Sequence, residues 1–91
     1  MTEPAEIEHG SADLARADLA IRLSVDLAAI EIVSHVELDW PDASLGCPQP
    51  GMRYKQVLTN GTLTVLAVDG EEYRYHAGGG RQPFLCETRA G

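Results

Sequence analysis

Residues 54–76 read YKQVLTNGTLTVLAVDGEEYRYH, and the way this run folds back on itself decides which side chains form the core. Its strand-like pieces are separated by Asn60-Gly61 and Asp69-Gly70. Asn-Gly between such pieces is the strongest short-range signal for a two-residue type I′ hairpin turn, so a turn is expected there. Asp69-Gly70 admits two registers. A two-residue turn sets Tyr73 and Tyr75 on the face of Leu66 and Thr64, and leaves Leu63 and Val65 with Arg74 and His76. A three-residue loop with Gly70 as the left-handed bulge residue instead pairs Val65 with Tyr73 and Leu63 with Tyr75. The second register is the expectation. The core face then reads Tyr54, Gln56, Leu58, Leu63, Val65, Ala67, Tyr73 and Tyr75. The outer face carries Lys55, Val57, Thr62, Thr64, Leu66, Arg74 and His76. Gln56 is the odd polar residue in the core set, and its expected role is to hydrogen-bond loop backbone.

Upstream, "ADLARADLAIRL" places Ala12, Ala15, Leu19, Ala20 and Leu23 at helical spacing, with Ser11 as N-cap and Asp13 in the first turn. "AIEIVSHVELDW" alternates, with Ile30, Ile32, Val36, Leu38 and Trp40 on one face and Glu31, Val33, His35 and Glu37 on the other. That is a half-buried strand. Trp40 should cap the core edge, Pro41 end the strand, and Asp42 start a turn through its side chain. Downstream, Gly78 to Gly80 form a connection and "PFLC" a last edge strand. The fold class is α+β, with one N-terminal amphipathic helix packed on an antiparallel sheet of four to five strands. Residues 1–10 read as a flexible acidic tail, 11–88 as one small domain and 89–91 as a second tail.

Between strand and hairpins lies "DASLGCPQPGM", Asp42 to Met52. Pro48 and Pro50 fix backbone angles while Gly46 and Gly51 permit turns other residues resist, so this is a rigidified loop. Such a loop either completes a core or presents a surface, since preorganisation lowers the ordering cost of binding. The candidate binding residues are Ser44, Leu45, Cys47, Pro48, Gln49, Pro50 and Met52.

The chain has 91 residues, of which 44% are apolar, enough for one compact domain with a small core. Its net charge of −7 is uneven. Residues 1–50 hold ten acids against Arg16 and Arg22, whereas residues 51–91 hold four acids against five bases. Phosphate backbones would repel such a protein, so nucleic acid is not an expected partner. No run reaches the length of a membrane span, and "MTEPAEIEHG" lacks the basic and apolar regions of a signal peptide. The expectation is a cytoplasmic protein without a membrane partner. Nothing in the sequence assigns an oligomeric state.

"ADLAIRLSV", "WPDASLGCPQPGMRYKQV", "EEYRYH" and "PFLC" together resemble a family of small uncharacterised bacterial proteins. That family is marked by Trp-Pro-Asp, Ser-Leu-Gly-Cys-Pro-x-Pro-Gly, Tyr-x-Tyr-His and a terminal Phe-Leu-Cys, and the likeness spans about residues 13–87. It implies no established activity, and some members look like exported lipoproteins. The resemblance puts a Cys47–Cys86 disulfide ahead of two separate buried thiols. A zinc site of Cys47, His76 and Cys86, with His35, has the right residue types but lacks paired ligand spacing, and His35 and His76 are expected on solvent-side faces. Cys47 with His76 as nucleophile and base lacks a third orienting group. The sequence therefore points to a noncatalytic, cofactor-free binding domain for another protein, in interaction or inhibitor-like form, with a metal or redox protein using Cys47, Cys86 and His76 as the alternative.

Overall fold

The computed structural model describes residues 10–86; the expectations for the two tails fall, Gly10 apart, outside this range. Helix α1 (Gly10–Leu23) leads through a 3-10 turn (Leu27–Ala29) into β1 (Glu31–Trp40), β2 (Thr59–Val68), β3 (Glu71–Gly78) and β4 (Arg81–Leu85). The strands form one antiparallel sheet in the order β1-β2-β3-β4, so the fold is α+β. Ser11 lies inside the first turn of α1 rather than capping it.

The helical periodicity is realised on one face. Ala15 and Leu19 are fully buried and meet Ile30, Leu66, Val68 and Tyr75, with Ala20, Leu23, Val25, Tyr73 and Leu85 packed around them. Each large side chain so buried contributes about 1.5–3 kcal/mol. These contacts overturn the expected register. Asp69 and Gly70, with φ of 53° and 84°, form a two-residue turn, and Val68 pairs directly with Glu71. Leu66 therefore opposes Tyr73, Thr64 opposes Tyr75, and Leu63 opposes His76. The helix covers the face of Leu66 and the tyrosines, while Leu63, Val65, Arg74 and His76 line the other. The bulge register fails because it would put Leu66, the apolar centre of β2, on the side away from α1.

Asn60-Gly61 is not a turn. Both residues lie inside β2, where Asn60 pairs with Asp39 and Gly61 with Leu38 and Gly78. The segment expected as a strand, Tyr54 to Leu58, is irregular loop, and Gln56, Val57 and Leu58 are exposed rather than packed. What Gly61 supplies is room. A Cβ there would overlap the Ala77 carbonyl oxygen and the Trp40 indole.

In β1 the alternation is broken by one extra residue, Val33, between the pairs Ile32–Leu66 and Ser34–Val65. A one-residue bulge exchanges the faces of everything beyond it. Ile32 consequently shares the helix-side face with Leu66, whereas Val36, Leu38 and Trp40 share the opposite face with Leu63, Gly61 and Thr59. Because β1 is an edge strand, Ile32 and Val36 stay 40% and 47% exposed, so it is far less buried than alternation alone implied. A second shift, between His76 and Gly78, leaves the extra residue on β4, where Pro83 has no N–H to donate.

A polar contact locks helix to sheet. The Tyr75 hydroxyl donates to Asp18 Oδ2 at 2.6 Å, and Arg22 Nε donates to the same oxygen at 2.6 Å. Burial disfavours the Asp18 carboxylate, but the hydrogen bonds from Tyr75 and Arg22 and the Arg22 charge outweigh it and hold the carboxyl below its usual range. Burial, then the hydrogen bond and charge of Asp18, push the Tyr75 phenol well above its ordinary value.

Two outcomes follow from this architecture. Gly61→Ala should destabilise by about 2–3 kcal/mol through overpacking, against about 1 kcal/mol if Gly61 merely occupied a turn. Denaturant unfolding measures the difference, with Gly10→Ala, in open space, as control. The second outcome concerns alkali. The folded Tyr75 phenol ionises later than the unfolded one, so its stabilisation is complete below about pH 10 and is lost as pH rises beyond that. Tyr75→Phe should flatten the alkaline fall in stability, and an unchanged slope in that variant would contradict the assignment.

Candidate functional site

The face of the sheet away from α1 is covered by the loop that leaves β1. Pro41 ends the strand, and Asp42 Oδ1 accepts hydrogen bonds from the Ser44 backbone N–H at 2.9 Å and the Ser44 hydroxyl at 2.6 Å. These two bonds hold the Asp42 carboxyl below its usual range. Backbone bonds from Leu45 N to Asp42 O and from Cys47 N to Ser44 O continue the coil. Leu45 and Gly46 both take positive φ, 57° and 76°.

This coil presses on Trp40. The indole lies against Gly61 of β2 and Gly46 of the loop, and a Cβ at either glycine would overlap it. It stacks on His76 with centroids 4.7 Å apart and planes inclined by 7°, and its Nε1–H donates to Ala77 O at 2.9 Å. His76 in turn donates Nδ1–H to Leu45 O at 2.6 Å, since a carbonyl can only accept. The expectation of a solvent-side His76 is thus corrected: it is 7% exposed, sandwiched between Trp40 and the tilted ring of Phe84. His35 is exposed and bonded to the Thr64 hydroxyl at 2.7 Å.

Cys47 and Cys86 are joined by a disulfide, with Cα atoms 5.9 Å apart, tying the loop to the residue after β4. The bond removes the two thiolates that a Cys47, His76, Cys86 metal site required, and the thiolate that a Cys47–His76 nucleophile required. Among the described residues no group of three or more His, Cys, Asp or Glu side chains is placed to hold a metal ion. Beside the disulfide lies a half-open cleft of about 280 Å³ lined by Trp40, Gly46, Leu63, Arg74, His76 and Cys86.

The seven loop residues singled out in the sequence divide into two groups. Ser44, Leu45 and Cys47 are buried against the sheet, whereas Pro48, Gln49, Pro50 and Met52 are exposed. The exposed part is ordered by local bonds. Met52 N donates to Gln49 O, and Gly51 has φ of 80°, which makes Gln49-Pro50-Gly51-Met52 a type II turn with proline and glycine where that turn requires them. Gln49 N donates to the Tyr54 hydroxyl at 3.1 Å, and Ala43 N to Lys55 O at 2.9 Å, closing the two limbs on each other. Val57 and Leu66, expected together on the outer face of the sheet, part company: Val57 is 53% exposed and Leu66 fully buried. Sequence reasoning missed the Trp40–His76 stack. The signal was present in the rejected two-residue Asp69-Gly70 register, which puts His76 opposite Leu63.

No described helix is long and apolar enough to cross a membrane. No curated protein and no solved structure matches the chain. Residues 12–86 match the model of a family described as Domain of unknown function (DUF8738), and with nearly the whole described length covered, the chain belongs to that family.

Proposed function

We propose that this domain is a small noncatalytic binding module that presents the tip of its loop, residues 48–52, to another protein. The observation that carries the reading is the division of the loop: a base clamped by the indole, the histidine and the disulfide, and an exposed tip already set in a type II turn. A tip ordered before binding loses little conformational entropy on contact. Met52, at the end of that turn, is 61% exposed, and Leu58, where the loop returns to β2, is 76% exposed. These are apolar side chains that the loop does not use for its own packing. The disulfide favours an oxidising compartment, where such bonds persist, over the cytoplasm expected from the first residues.

The anchoring can be checked on the isolated protein. A bridge spanning 39 positions is worth about 4 kcal/mol in the chain-entropy model. Reductant should remove that stability, and Cys47→Ala and Cys86→Ala should cost similar amounts that do not add in the double variant. Additive costs would show that the sulfurs act separately.

The binding role is tested by placing a photo-crosslinking residue at position 52 or, as control, at position 69. The expected result is an adduct with a second protein from position 52 alone, and binding of that purified protein weakened at least about tenfold by Met52→Asp, or about 1.4 kcal/mol. Equal adducts from both positions, or a partner indifferent to Met52→Asp in a folded variant, would remove the loop tip from the proposal.

A further inference from the structure

The sheet has two edges of unequal character. The β4 edge is five residues long, contains Pro83, and is held by Leu85 packing against the helix-side core. The β1 edge is ten residues long, and every residue from Glu31 to Glu37 is exposed. Among the described residues, no loop or helix makes a backbone hydrogen bond to β1 between Glu31 and Trp40. Unpaired edge N–H and C=O groups are a template for another extended chain.

The side chains along that edge specify what chain would fit. Beyond the Val33 bulge, His35, Glu37 and Asp39 stand on the helix-side face, opposite Thr64, Thr62 and Asn60 of β2. None of those three β2 residues carries a charge, although Asn60 Nδ2 donates a hydrogen bond to Asp39 Oδ1 at 3.2 Å. Val36 and Leu38 stand on the other face, beside Leu63 and Gly61. An added strand must alternate in the same way, because successive residues point to opposite faces. Its residues on one face would lie beside His35, Glu37 and Asp39, two of them acids, and those on the other beside Val36 and Leu38. Basic side chains satisfy the first set and apolar ones the second. A second copy of this chain does not suit the edge, since joining two β1 strands would gather the acids of both.

We propose that the outer edge of β1 is a strand-addition site for an extended segment of another protein in which basic and apolar residues alternate. The site is separate from the loop tip and does not depend on its role.

The probe is an eight-residue peptide alternating lysine and valine, titrated against the intact protein by fluorescence anisotropy. Two further peptides carry N-methyl groups on every valine nitrogen or on every lysine nitrogen. Only one of these sets of N–H groups can face β1, so one methylated peptide should bind like the parent and the other about tenfold or more weakly. A glutamate–valine peptide should bind about tenfold or more weakly, and the Glu37→Gln, Asp39→Asn double variant should lose affinity for the lysine peptide. Equal binding of both methylated peptides would reduce the contact to charge attraction and overturn the proposal. Absence of binding up to about 1 mM, or self-association of the protein through β1, would overturn it as well.

Discussion

The Trp40 indole fixes the loop side of this fold. It is too large to lie on a strand that carries side chains beneath it, so β2 provides Gly61 and the covering loop provides Gly46 where the ring passes. A buried indole also needs an acceptor for its N–H, and Ala77 O meets that need from β3. One side chain thereby sets the spacing of β1, β2, β3 and the loop together. His76 extends the constraint, with its ring stacked on the indole and its Nδ1–H satisfying the Leu45 carbonyl that the left-handed turn leaves unpaired within the coil.

The sheet thus carries two covers with different physical bases. On one face the helix buries Leu19 against Leu66 and Tyr75, a mainly hydrophobic contact pinned by the shared Asp18 carboxylate. On the other, a loop without regular structure does the covering, and irregular backbone can lie there only because its polar groups are paired locally or with His76. The disulfide holds this cover to the residue after β4. A domain with so small a core gains from such a cross-link, which fastens the base of the loop to the far edge of the sheet.

Features governed by short-range stereochemistry were legible in the residues. The buried positions of α1 follow from 3.6-residue spacing, the Asp42–Ser44 turn from the reach of an aspartate side chain, and the Pro50-Gly51 turn from fixed and positive φ. Misreadings arose where pairing decided. Asn60-Gly61 carries a strong local hairpin signal, yet extended pairing of β2 with both neighbours outweighs it, and the glycine serves a close approach instead. The same alternation in β1 serves two faces because Val33 is bulged, which no reading of β1 alone reveals.

The α+β class, the buried face of α1, the last strand and the Pro50-Gly51 turn could all be read from the residues alone, because each follows from torsional preference and periodicity within a few positions. The register at Asp69-Gly70, the burial of His76, and the division of the loop into clamped base and exposed tip emerge from packing between distant segments. They depend on which face the helix occupies and where an indole finds room, and the deciding bonds, Trp40 to Ala77 and His76 to Leu45, join residues 37 and 31 positions apart.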